Sequence, residues 1–204
     1  IGGEPSADGS AVNRRLTGLI DHAAIWNRAL SDDEIAALSA AHAAAPLYRE
    51  RFRNQVHFSP ERNWINDPNG LMFADGKYHL FFQYNPFGDR WGHMSWGHAV
   101  SADLLHWDEL DVAIPEASGV MAFSGSAVHD TRNTSGFGAP DDQPLVAIYT
   151  GHRSDPPRQD QRLAFSTDGG VAWERFPGNP VIDIDAEHFR DPKVFWHEPT
   201  GRWI

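Results

Sequence analysis

The sequence predicts an all-β protein assembled from repeated four-stranded antiparallel units, the architecture of a β-propeller whose innermost strands line a central funnel. Three observations predict it. From Leu47 onward the chain consists of short β-type runs punctuated by turn residues, among them the hairpin dipeptide Asp75-Gly76. Ala99-Val100-Ser101-Ala102-Asp103 followed by Trp107-Asp108 returns roughly 65 residues later as Ala164-Phe165-Ser166-Thr167-Asp168 followed by Trp173-Glu174. Asp67-Pro68, ahead of the apolar run Leu71-Met72-Phe73, is echoed by Asp191-Pro192 ahead of Val194-Phe195-Trp196.

Taken in order, residues 1–18 are rich in Gly, Ser, Ala and Asp and give no clear element, and Leu19 to Trp26 reads as a strand. A helix start follows. Ser31 can cap it, Glu34 occupies the reciprocal position of a capping box, Leu30 and Ile35 can form a hydrophobic staple, and Asp32 and Asp33 favour the positive end of the dipole. Ile35 and Leu38 mark the expected buried side, and Pro46 closes the Ala-rich stretch. This arrangement resembles the last strand and short helix of a laminin-G-like (concanavalin-type) jelly roll, which implies that residues 1–45 are the tail of such a domain. An amphipathic helix in a linker is the other reading.

The first blade is expected from Gly70–Phe73, Lys77–Tyr84, Trp96–Ser101 and Trp107–Leu110. Gly125–Val128, Leu145–Tyr149, Arg162–Ser166 and Trp173–Arg175 make the second. A third begins at Asp191-Pro192, turns at Glu198-Pro199-Thr200-Gly201 and re-enters a strand at Arg202-Trp203-Ile204, leaving strand edges unpaired. Because the chain starts with Ile1 rather than Met and stops inside a strand-like run, both ends read as cuts.

Asp and Glu number 28 against 17 Lys and Arg, a formal net charge of -11, which disfavours nucleic acid and suits a neutral substrate. Cysteine is absent, so there is no disulfide framework, thiol nucleophile or thiolate metal site. No apolar run approaches the roughly 20 residues of a membrane span. The eight Trp suit sugar stacking and a β-rich core alike, and Tyr84, Trp96 and Trp107 are assigned to the core.

The chemistry concentrates in Asn63-Trp64-Ile65-Asn66-Asp67-Pro68-Asn69-Gly70. Asn66, Pro68, Asn69 and Gly70 are turn formers, which puts the Asp67 carboxylate at the mouth of a strand. Trp64 and Ile65 can desolvate one flank while the Asn amides donate to the ionised oxygens. Taken alone, the string reads equally as a tight turn without chemistry. Asp191, at an equivalent strand mouth, points to one shared pocket.

Trp64-Ile65-Asn66-Asp67-Pro68-Asn69-Gly70, Phe81-Phe82-Gln83-Tyr84-Asn85-Pro86, Trp91-Gly92-His93-Met94-Ser95-Trp96-Gly97-His98, Phe123-Ser124-Gly125-Ser126 and Phe189-Arg190-Asp191-Pro192, in that order, resemble the motif set of glycoside hydrolase family 32. That family contains invertases, levanases and inulinases. The resemblance implies that residues 46–204 are the N-terminal portion of a five-bladed catalytic propeller, of which two blades and the start of a third lie in this chain. It implies a retaining β-fructosidase acting on terminal fructose of levan, inulin or sucrose, with Asp67 as nucleophile. Asp191 would stabilise the oxocarbenium-like transition state beside Arg190. Trp64, Ile65, Asn66, Gln83, Trp91, Phe123, Ser124 and Arg190 would form the fructose subsite, although Trp91 could be loop packing and Gln83 a strand residue satisfied by backbone.

In the family the general acid is a Glu in a Glu-Cys motif downstream of Arg-Asp-Pro, and nothing here matches it. Glu198 is set aside because residues 197–201 read as a turn that carries its side chain away from the funnel. Residues 1–204 alone are therefore expected to be inactive, with the acid/base residue outside them. A fructosyltransferase of the same fold and a non-catalytic fructan-binding module are the alternatives. No cofactor is expected and no protein partner is evident. The implied location is extracellular, cell-surface or periplasmic.

Eleven His invite a metal reading. His93 and His98 lack an His-Glu-x-x-His frame and a clear carboxylate partner, so no metal site is expected. Asp183, Asp185 and Glu187 are expected to form a solvated loop rather than a calcium site. Asn133-Thr134-Ser135 is a formal glycosylation sequon.

Overall fold

The computed structural model describes residues 4–5, 12–13, 28–35 and 48–204. The chain divides into two compact units, Ile1–Ala45 and Pro46–Ile204.

In the first unit, β1 (Glu4–Pro5) and β2 (Val12–Asn13) pair antiparallel, and residues 32–35 form one helical turn. Its cap is the expected box: the Glu34 N–H donates to Ser31 Oγ at 3.3 Å and the Ser31 N–H to Glu34 Oε2 at 2.9 Å. Arg28 grips the same carboxylate at 2.8 and 2.6 Å and, with the Ser31 amide, holds its pKa down at about 2. Ile35 departs from expectation. It is 53% exposed. The strand expected over residues 19–26 and the site of Leu38 lie outside the described residues.

The second unit is all-β. β3 (Trp64–Ala74), β4 (Lys77–Asn85), β5 (Ser95–Ser101) and β6 (Asp108–Ile114) form an antiparallel meander in that order. β7 (Met121–His129), β8 (Leu145–Ser154), β9 (Pro157–Ser166) and β10 (Glu174–Arg175) repeat it. β11 (Ile182–Ala186) adds to the free part of β9. β12 (Trp196–His197) and β13 (Arg202–Trp203) form a hairpin around a 3-10 turn, Glu198–Thr200. A four-stranded sheet, a five-stranded one and a two-stranded hairpin are consistent with part of a propeller.

Local chemistry explains the repeat. Asp75 and Gly76, with φ of 51° and 76°, make the two-residue turn that joins β3 to β4. At the β5–β6 corner, Ser101 Oγ accepts from the Leu104 N–H and Asp103 Oδ1 from the Leu105 and His106 N–H groups, while the Trp107 indole donates to Leu104 O. At the β9–β10 corner, Ser166 Oγ accepts from Gly170 N–H, Asp168 from Ala172 N–H, and the Trp173 indole donates to Gly170 O. The repeated Ser, Asp and Trp are thus one corner-forming device used twice.

The sheets share a core. Phe81, Trp96 and Ile114 of the first pack against Ala122, Ala127, Ala147 and Ala164 of the second, large side chains against small, with the Tyr149 ring edge-on to Trp96. Gly70 (φ 52°) lies at the closest approach, where an added Cβ would sit 2.9 Å from both the Ala127 Cβ and the Phe81 ring. Phe82, Tyr84 and Ala99 build a second cluster with Phe58, Ile65, Leu80, Trp107 and Val112.

His79 of β4 and His98 of β5 are buried with Nδ1 and Nε2 3.0 Å apart. One ring must donate and the other accept, so at most one of the pair can carry a charge. Burial lowers both pKa values, that of His98 to about 3 with His79 adding to the effect. The unfolded chain binds protons below about 6.5 that the folded chain refuses, so stability is present at neutral pH and lost as pH falls from there toward 3. Denaturation at pH 7 and pH 5 is expected to differ by about 2 kcal/mol for each proton refused. Equal stability at the two pH values would contradict this.

Candidate active site

Asp67 does not sit in a turn before a strand. The run from Trp64 to Gly70 lies inside β3, which carries two bulges, one between the pairs Ile65↔Tyr84 and Pro68↔Phe82 and one between Asn69↔Phe81 and Met72↔His79. β3 ends its sheet, so Pro68, which has no N–H, and the bulges disturb only one ladder. β7 bulges at the matching place, between Ala122↔Gly151 and Gly125↔Tyr149. Asn66-Asp67 and Phe123-Ser124 are therefore equivalent insertions on strands that lie against each other, and each turns side chains off the regular alternation.

The bulges are joined. Ser124 Oγ donates to Asp67 Oδ2 at 2.7 Å, and the Gly125 N–H to Asn69 Oδ1 at 3.4 Å. Gln83 Nε2 donates to Ala122 O at 3.0 Å from a buried position on β4, and Trp64 Nε1 to Asn66 Oδ1 at 2.7 Å.

Asp191 reaches the same place differently. It adopts the left-handed conformation (φ 65°) in an irregular segment rather than opening a strand. Its N–H donates to Thr150 Oγ1 at 3.0 Å, Thr150 donates to Gln161 Oε1 at 3.1 Å, and Gln161 Nε2 donates to Phe189 O at 2.7 Å. Gln159 Oε1 accepts from the Phe189 N–H at 2.9 Å, and Ser126 Oγ bonds both Pro192 O and the Val194 N–H at 3.0 Å. These four polar side chains are buried; Ser126 stands in the Phe123–Ser126 motif without a role of its own, and Thr150, Gln159 and Gln161 lie in no motif. Their only signal is polar residues at inward positions of β7, β8 and β9.

Asn66, Asp67, Gln83, Trp91, Phe123, Ser124, Arg190 and Asp191 line one cavity of about 150 Å³, together with Met94, which the sequence reading missed. Asp67 and Asp191 also line an adjoining cavity of about 480 Å³ with Asn69, Ser126 and Lys193. Trp64 is outside the lining and acts on it through Asn66. Ile65 is a correction: it points to the other side of β3 and packs into the Phe82 cluster, because strand alternation opposes it to Trp64 and Asn66. Trp91 meets the Phe123 ring edge-on with centroids 6.0 Å apart, and Arg190 Nε lies 3.9 Å from Asp191 Oδ2.

Other candidates are engaged elsewhere. Glu198 is exposed on the 3-10 turn, where it accepts from Arg132 at 2.7 Å and from the Trp196 indole, and Arg132 lowers its pKa. His93, expected to lack a carboxylate, has one: its Nδ1 is 2.6 Å from Glu116. Arg158 holds Asp183 and Asp185 at 2.6 and 2.7 Å. Among the described residues no group of three His, Cys, Asp or Glu could hold a metal ion.

The profile "Glycosyl hydrolases family 32 N-terminal domain" matches residues 57–204. The chain is 51% identical over 170 residues to the levanase of Bacillus subtilis (strain 168), a match covering 82% of the chain and 25% of the levanase. It is 46% identical to the extracellular exo-inulinase of Aspergillus awamori, covering 77% of the chain and 34% of the relative. The crystal structure of that exo-inulinase superposes with a TM-score of 0.71 over 76% of this chain and 35% of its own. A fructofuranosidase from Schwanniomyces occidentalis complexed with fructose gives a TM-score of 0.69 at 49% identity, covering 74% and 31%. The chain thus spans between a quarter and a third of these relatives' length.

Thr150→Val is expected to cost about 1–3 kcal/mol, because it leaves the Asp191 N–H and Gln161 Oε1 unpaired. Denaturant titration measures it, and a loss below about 0.5 kcal/mol would mean the Asp191 segment is held by something else.

Proposed function

The chain belongs to glycosyl hydrolase family 32, and from that membership we propose that the protein containing it is a retaining β-fructosidase acting on terminal fructose units of levan, inulin or sucrose. The observation that carries the reading is two carboxylates, one on β3 and one on the irregular segment before β12, lining one small cavity with amide, hydroxyl and aromatic groups around them. Asp67 is the nucleophile. Ser124 holds its Oδ2, leaving Oδ1, which makes no hydrogen bond among the described residues, to attack the anomeric carbon. As that bond forms, the bond to the leaving oxygen breaks and the oxygen takes a proton from a general acid. Water then displaces Asp67 and returns a proton to the same group.

Asp191 and Arg190 bind fructose hydroxyls and favour the positively charged transition state, Asp191 by charge and Arg190 by its forked donors. Asn66, Gln83 and Ser124 serve hydroxyls, while Trp91 and Phe123 cover the ring's apolar face, with Trp64 orienting Asn66. The acid/base residue is assigned to chain outside these 204 residues. In support, Asp67 and Asp191 are the only carboxylates lining the two cavities among the described residues, and Glu198 and Glu116 are engaged by Arg132 and His93.

The second unit is read as part of a five-bladed propeller and residues 1–45 as the tail of a laminin-G-like jelly roll. Export fits relatives described as extracellular. Extension of the reading frame on both sides tests these assignments: a jelly-roll body upstream and a Glu-Cys motif downstream are expected.

In the protein carrying the whole catalytic domain, Asp67→Ala is expected to lower kcat on sucrose or inulin by roughly 10³-fold or more without unfolding it. NMR of the first fructose released should give the retained anomer. Less than a tenfold loss, or inverted product, would refute the assignment.

A further inference from the structure

Behind the cavity wall lies a side chain that the proposed chemistry does not use. The Phe123 ring stacks on the imidazole of His152, with centroids 4.4 Å apart and planes 15° from parallel. His152, half-buried on β8, stands opposite Met121 of β7 and Gln159 of β9. Its Nδ1 is 3.4 Å from Gln159 Nε2, and Gln159 Oε1 accepts the Phe189 N–H. A backbone N–H can only donate, so Gln159 must turn its oxygen to Phe189. Its NH₂ then faces His152, whose Nδ1 accepts only when it carries no proton.

We propose that His152, as the neutral Nε2–H tautomer, is a positioning residue that locks the Phe123 wall of the cavity to the Phe189-Arg190-Asp191 segment through Gln159. What this does to turnover rests on the fructosidase reading; the coupling itself does not. A proton on Nδ1 sets donor against donor, so Gln159 loses one of its two partners. It also places a second cation near Arg190.

The charges acting on His152 from the 188–190 segment are Arg190 and His188. Facing it, β7 offers Met121 and Phe123, neither charged. On β8 and β9, Arg153 and Arg162 are paired with Asp160, and Arg158 with Asp183 and Asp185. Burial, then Arg190 and His188, lower the His152 pKa below 6.5, so the locked arrangement holds at neutral pH and is lost only on acidification past the ordinary imidazole value.

NMR of the ¹⁵N-labelled protein tests the coupling. At neutral pH Nδ1 should be unprotonated, the Phe189 amide and Phe123 ring signals should follow the His152 titration, and in Gln159→Leu the Phe189 amide should cease to follow it. A protonated Nδ1 at neutral pH, or a Phe189 signal indifferent to His152, overturns the proposal. In the protein carrying the whole catalytic domain, His152→Ala is expected to raise KM roughly tenfold with a smaller change in kcat. His152→Asn, which restores a non-titrating acceptor, should recover part of that loss and remove the acid-side rise in KM. An unchanged KM and pH profile in both variants also overturns it. If no fructoside is hydrolysed by any form, the fructosidase reading fails while the NMR result still decides the coupling.

Discussion

Everything in the larger unit is anchored at the seam where β3 meets β7. Gly70 and Ala127 are small enough for the strands to approach with Phe81 and Trp96 buried beside them, and the Trp96 indole crosses to donate to Phe123 O at 2.9 Å. Removing either aromatic ring would cost about 3–5 kcal/mol, a large share of a domain's net stability. The same seam carries the Ser124–Asp67 and Gly125–Asn69 bonds. Packing that joins the sheets therefore also sets the carboxylate's position.

The two carboxylates are held by different means. Asp67 rides on a strand whose ladder continues on either side of the bulge, so backbone pairing fixes it. Asp191 sits on irregular backbone fixed by Ser126, Thr150, Gln159 and Gln161, each buried and each bonded. A hydrogen bond contributes only about 1 kcal/mol net, but a buried group left unpaired costs more, so such a network specifies position more than it adds stability.

What the sequence made legible follows from how local each signal is. The Asp75-Gly76 turn and the Ser31-Glu34 cap close bonds within a few residues and are legible as such, whereas the Ser-Asp-Trp pattern is legible as a repeat but not as the corner it forms. The run around Asp67 reads as turn residues at a strand mouth, although it lies inside β3, because bulges and turns draw on the same Gly, Pro and Asn. Ile65 was misplaced for a related reason: it was grouped with its neighbours along the chain, whereas strand alternation sends it to the opposite face. Thr150 and Gln161 find their partners 41 and 28 residues away, and no local pattern marks them. Conversely, the acidic run Asp183 to Glu187 looked free in sequence, yet Arg158 on the facing strand takes up two of its charges.

The left-handed backbone at Asp191 narrows what random mutagenesis can supply there. Glycine, asparagine and aspartate tolerate that conformation, whereas a β-branched side chain forces the peptide elsewhere. Asparagine keeps the shape without the charge, and glycine keeps neither charge nor side chain. Most substitutions at this codon would carry a backbone penalty of roughly 1–2 kcal/mol, of the kind the fold already bears at Tyr48, His93 and Leu104, and only glutamate would retain an anion, so evolvability at this position is limited by conformation and charge together.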